Sequence, residues 1–194
     1  LKRVLWAVLV INASMFVVEI SAGVYAGSVS LLADAVDFLG DSASYAISLF
    51  VLSKSLRWRS GAALLKGLSM GAFGLWILGT VIYNAINTGT PVASVMGSVG
   101  LMAMLANLVA AFLLYQYRDG DANMRSVWLC TRNDVLGNIA VVIAASGVFA
   151  TGSQWPDLAV ALILASLALH ASVQVLKQAL GELKSTNTES PQTS

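Results

Sequence analysis

Lysine and arginine are absent from three long stretches of this chain, Val4–Ser53, Gly67–Tyr117 and Asn133–Leu176, which hold 50, 51 and 44 residues. Each stretch is dominated by apolar residues. A helix that crosses a bilayer needs about 20 of them, so each stretch has room for two spans and one short turn. The turns fall at Ala26-Gly27-Ser28, at Asn87-Thr88-Gly89-Thr90-Pro91 and at Thr151-Gly152-Ser153-Gln154-Trp155-Pro156, where Gly, Pro and polar residues break the helical pattern. Three helical hairpins follow. The sequence therefore predicts an all-α polytopic membrane protein with six transmembrane helices, roughly over 4–26, 29–53, 61–87, 92–116, 123–150 and 156–181.

Composition agrees. Hydrophobic residues make up 57% of the chain and charged residues 11%, against about a quarter charged in a soluble domain. The net charge of +1 provides no basic excess for nucleic acid, so no nucleic-acid partner is expected. A single cysteine, Cys130, excludes an internal disulfide and a multi-cysteine zinc module.

The basic residues collect between the hairpins: Lys2 and Arg3; Lys54, Arg57, Arg59 and Lys66; Arg118 and Arg125; Lys177 and Lys184. Positive charge favours the cytoplasmic side, which puts both termini in the cytoplasm. The expected setting is multi-pass in membrane lipid, in the bacterial inner (cell) membrane. The apolar start is too long, lacks a clear small-residue cleavage site and contains Glu19, so it reads as a span rather than a cleaved signal. Residues 1–184 are expected to form one transmembrane transport domain. Residues 185–194 are expected to be a disordered polar tail, with no soluble domain after the bundle.

Five carboxylates inside the predicted spans are of interest: Glu19, Asp34, Asp37, Asp41 and Asp134. Each is costly at bilayer depth unless paired, hydrated or bound to a cation. Glu19 and Asp34 lie nearer the outer side, where a wet vestibule or a bond to a neighbouring helix is as good a reading as a functional one. Asp37 and Asp41 are four apart and share a helical face, where two bare anions repel; a proton or a divalent cation between them removes the conflict. Cys130 and Asp134 repeat the spacing in span five. Opposite chain directions bring the two pairs together near the midplane, giving three carboxylates and a thiol, the ligand count of tetrahedral zinc. Asn138, one turn beyond Asp134, could bond a ligand from behind. Asn12 and Asn133 are further polar groups in or near spans. Arg132 reads as a partner for a carboxylate or lipid phosphate, and His170 as a hydrogen bond between helices rather than a ligand.

The run from Ala26-Gly27-Ser28 to Asp34, Asp37 and Asp41 resembles the span-two signature of the cation diffusion facilitators, six-helix exporters of divalent metals, which ends in Asp or His, three residues, then Asp. Cys130-Thr131-Arg132-Asn133-Asp134 resembles the span-five signature, and Glu19 stands where many members carry an acid. The resemblance implies transport-site roles for Asp37, Asp41 and Asp134, proton antiport and a homodimer. Cys130 departs from the usual His or Asp. A His-rich loop between spans four and five is not seen, and the family's usual cytoplasmic metal-binding domain is not expected.

The sequence thus reads as a divalent metal exporter working by alternating access in exchange for protons, with no enzyme activity and no prosthetic group. Thiolate with carboxylates favours Zn²⁺ or Cd²⁺; Fe²⁺, Co²⁺ and Mn²⁺ are the alternatives. A non-transporting membrane scaffold or a metal-dependent membrane enzyme is the rival reading, with His170 the one acid or base on offer. Gly67 and Gly71, with Gly74 close by, suggest that span three forms the dimer contact, against the alternative that they pack on span two or six of the same subunit.

Overall fold

The computed structural model describes the backbone of residues 2–51, 53–87, 89–117 and 122–188, and within these the side chains of all but 51, 56, 122–130, 132 and 185–188. Six α-helices follow one another: α1 Lys2–Ala26, α2 Val29–Ala46, α3 Leu56–Ile86, α4 Ala93–Tyr115, α5 Ala122–Thr151 and α6 Trp155–Thr188. A π-helical segment, Ile47–Val51, continues α2. Every helix except α2 contains a stretch long and apolar enough to cross a membrane. In α2, Asp34, Asp37 and Asp41 share 18 residues and dilute the apolar run. The architecture is the all-α polytopic one expected. α6 runs to Thr188, past the expected domain end at 184; residues 189–194 of the expected tail lie outside the described residues.

Apolar side chains cover the outside of the bundle as well as its inside. Val24, Leu75, Phe112, Phe149 and Leu167 are all exposed, as helices facing lipid require. Small and polar residues are buried among the apolar ones. On α1 the buried line is Leu5, Val8, Asn12, Met15, Glu19, Gly23 and Ala26, and on α4 it is Met96, Gly100, Ala103, Asn107, Ala110 and Leu114. Both recur every three to four residues, the period of one helical face.

The turns close tightly at one end of the bundle, here the turn end; the basic residues lie at the other. Gly27 and Gly152 adopt φ of +67° and +61°, a left-handed conformation that favours glycine and ends a helix. Ser28 caps α2 by accepting from the Leu31 N–H at 3.3 Å. The same helix start is then clasped by α6. Asp157 accepts from the Ser28 hydroxyl (2.7 Å), the Val29 N–H (2.8 Å), the Ser30 N–H (3.1 Å) and the Ser30 hydroxyl (2.6 Å). A carboxylate suits the positive end of a helix dipole, and here it fastens α6 to α2.

Helices α1, α2, α4 and α5 form a four-helix body, and α3 and α6 form an antiparallel pair that meets it through α2 and α5. The α3–α6 contact is the most extensive in the molecule, and it uses the glycines. A Cβ on Gly67 would lie 2.9 Å from the Leu176 side chain, on Gly71 2.8 Å from the Ser172 hydroxyl, and on Gly74 2.9 Å from Leu169. Ser172 also donates to the Gly67 carbonyl at 2.7 Å. The expected dimer contact through this glycine face is therefore corrected: α6 of the same subunit occupies it. A leucine at Gly71 is expected to cost about 1–3 kcal/mol through overpacking. Thermal unfolding in mild detergent checks this against a Gly79→Leu control, where a new Cβ meets nothing within 4 Å.

Candidate metal centre

Asp37 and Asp41 sit one turn apart on α2, and Asp134 reaches the same place from α5. All three line one cavity of about 510 Å³. The cavity lies between the four-helix body and the α3–α6 pair. Ser44, Lys66, Met70 and Gln174 complete its middle, and Arg59, Gln178 and Glu182 border it toward the basic end. The Asp157 clasp lies at the opposite end of α2.

Asp41 is held by two hydroxyls. Its Oδ2 accepts from the Tyr45 hydroxyl at 2.8 Å and from the Thr131 hydroxyl at 3.2 Å, and those two hydroxyls are themselves 2.6 Å apart. Tyr45 stands one turn beyond Asp41 and is fully buried, so Asp41 is fixed from its own helix and from α5 at once. The Asp134 carboxyl is within hydrogen-bonding reach of Asp41. The Lys66 ammonium acts on Asp41 electrostatically and donates to the Ser44 hydroxyl. Met70 lies against Gly40 so closely that a Cβ there would be 3.1 Å from both its sulfur and its terminal methyl.

The structure thus brings Asp37, Asp41 and Asp134 to one cavity. Asp41 and Asp134 meet, while Asp37 stands a turn away along α2. Among the described residues no three His, Cys, Asp or Glu side chains are gathered tightly enough to hold one ion. Cys130 is within α5, but its side chain lies outside the described residues, as does that of Arg132.

Other expectations resolve differently. Asn138 does support a carboxylate, but the one it bonds is Asp34, at 2.5 Å. His170 is exposed and pairs with Gln174 of its own helix at 2.9 Å; Gln174, not His170, lines the cavity. Asn12 donates to the Val8 carbonyl at 2.8 Å within α1, and Asn133 is exposed. Glu19 and Asp34 are fully buried outside the cavity lining, so neither sits in a wet vestibule. Sequence reasoning missed Tyr45 and Thr131. A hydroxyl four residues after Asp41 and another three before Asp134 were the signals available. It also missed what α3 and α6 contribute, because no motif marks Lys66, Met70 or Gln174.

The chain matches known proteins over most of its length. The pattern that defines the cation efflux transmembrane domain matches residues 5–183. Zinc transporter ZitB of Pectobacterium atrosepticum is 29% identical, over 94% of this chain and 61% of its own length. The cadmium, cobalt and zinc/H(+)-K(+) antiporter of Bacillus subtilis is 24% identical, over 92% of this chain and 62% of its own. Metal cation efflux system protein CzcD of Cupriavidus metallidurans is 23% identical, over 94% and 61%. The chain spans about three fifths of the length of these relatives. With its six helices, its apolar exterior and a match from end to end of the helical bundle, this is an integral multi-pass membrane protein that belongs to the cation efflux family.

Proposed function

We propose that this chain exports a divalent metal, Zn²⁺ or Cd²⁺, in exchange for protons, and that Asp37, Asp41, Cys130 and Asp134 are its ligands. The observation that carries the reading is that carboxylates from two helices line one cavity between the two bodies of the bundle. Such a seam is where a relative movement of those bodies changes access. With the basic end in the cytoplasm, as the positive-inside bias has it, metal enters past Arg59 and Glu182 and leaves when the turn end opens. The inner membrane of a bacterium is the corresponding location. Carboxylates and a thiol must shed protons to bind metal, so metal and H⁺ compete for the same atoms and can be exchanged. The names of relatives, zinc transporter and cadmium, cobalt and zinc/H(+)-K(+) antiporter, support the cargo and the exchange. A homodimer belongs to the same proposal, formed through a face other than the α3 glycines.

Asp41→Ala and Asp134→Ala are each expected to abolish metal flux into proteoliposomes while the protein stays folded, because each removes a ligand. Normal uptake by either variant would sink the site. Replacing Tyr45 by Phe removes a donor to Asp41 but no ligand, and is expected to weaken Cd²⁺ binding by roughly 10- to 100-fold; calorimetric titration reads this directly. Cys130→Ser exchanges soft sulfur for hard oxygen. Its expected effect is selective, a large loss of Zn²⁺ and Cd²⁺ transport with Mn²⁺ little changed. Equal losses for all three ions would leave Cys130 as packing.

A further inference from the structure

One turn closer to the turn end than the cavity, the four-helix body encloses a second polar cluster. Glu19 of α1, Asp34 of α2 and Asn138 of α5 are each 0% exposed and Asn107 of α4 is 1% exposed; none of them lines the cavity. Asn138 donates its amide N–H to Asp34 Oδ2 at 2.5 Å, and Asn107 donates to the Asn138 carbonyl oxygen at 2.9 Å. The carboxylate dictates this order. Asn138 must turn its NH₂ toward Asp34, which leaves its oxygen for Asn107 and leaves the Asn107 oxygen buried with no donor.

Counting the remaining acceptors isolates what the cluster lacks. Both oxygens of Glu19, Asp34 Oδ1 and Asn107 Oδ1 are buried without a hydrogen-bond partner. The Glu19 and Asp34 carboxyls lie against one another, and the further charge that acts on Glu19 is negative, Asp37. Among the described residues, no Lys or Arg side chain is buried. Four acceptors with no donor, drawn from three helices, are not a sustainable interior for a protein in lipid. The missing partner is positively charged. Oxygen-only ligation without nitrogen or sulfur does not suit zinc-class ions. Ca²⁺ and Mg²⁺ hold their water most strongly, and a closed cluster of four acceptors cannot replace that shell; a proton needs no shell, and an alkali ion gives up its water far more readily.

We propose that Glu19 and Asp34, oriented by the Asn138–Asn107 amide chain, form a second cation site that holds one monovalent cation, a proton or an alkali ion, apart from the divalent-metal cavity. The two sources share the same chemistry, a single positive charge held between carboxyl oxygens. The site stands whether or not the cavity transports metal.

The test uses the full chain in lipid nanodiscs at neutral pH. Infrared spectra in metal-free choline chloride report whether a buried carboxylic acid is present, and replacing choline by Na⁺ or K⁺ reports whether an alkali ion takes its place. A proton predicts a carboxylic-acid carbonyl band that shifts when glutamate side chains carry carbon-13 and disappears in Glu19→Gln. An alkali ion predicts no such band; instead Na⁺ or K⁺ raises the melting temperature of the wild type and not of Glu19→Gln. In both cases Glu19→Gln binds Cd²⁺ within about twofold of wild type, as a separate site should. Should that variant fail to fold, the labelled wild type and Asp34→Asn carry the same readouts. A wild type with neither the acid band nor alkali stabilisation overturns the proposal. So does a loss of Cd²⁺ affinity of about tenfold or more in folded Glu19→Gln, which would make the cluster part of the metal cavity.

Discussion

Inside a membrane no water is at hand to satisfy a stray polar atom, so every buried donor, acceptor and charge must be answered from within the protein. Helix α2 carries the heaviest load of this kind and is placed accordingly. It packs against α1, α3, α5 and α6, and each helix that touches its acids or its end brings something to them. Asp34 receives the Asn138 amide, Asp41 receives the Tyr45 and Thr131 hydroxyls, and the helix's own first N–H groups are taken up by Asp157. The arrangement of the other helices follows largely from which of them can supply these partners.

The same demand divides the molecule into two bodies. Where the helices pack closely on one another, as α1, α2, α4 and α5 do, they form a continuous body. Where the acids of α2 face α3 and α6, the partners are longer and fewer, Lys66 and Gln174 among them, and a cavity is left. Asp157 closes the turn end of this seam, so the cavity extends toward the basic end. A site closed at one end is what the proposed export requires, since a cargo must move without opening a leak.

The spans were legible in the sequence because lysine and arginine are excluded from lipid so strongly that their gaps outline the hairpins. The shared face of Asp37 and Asp41 was legible because four residues make one turn. The supports of Asp41 were not singled out, since a tyrosine and a threonine have many uses in a helix, and only the fold tells which carboxylate they meet. The glycines of α3 were visible as a close-packing face, but a glycine pattern does not identify what packs on it; Leu169, Ser172 and Leu176 of α6 do. Asp157 sits beside a turn and carries no motif. Its partner helix begins 128 residues earlier, at Val29, beyond the reach of local patterns.

The pairing of α3 with α6 bears on how such a chain is made. Helices emerge from the ribosome in order, and α4 and α5 are both synthesised between the two members of this pair. Until α6 arrives, the grooved glycine face of α3 is bathed in lipid tails, which are as apolar as the leucines that will replace them, so waiting carries little penalty. The four-helix body needs only α1, α2, α4 and α5 and can assemble first. When α6 is inserted it supplies three missing pieces together: the packing for α3, the acidic clasp on α2 and the remaining wall of the cavity. Assembly and completion of the site are therefore one event, and a chain interrupted before α6 has most of its membrane spans but no enclosed cavity.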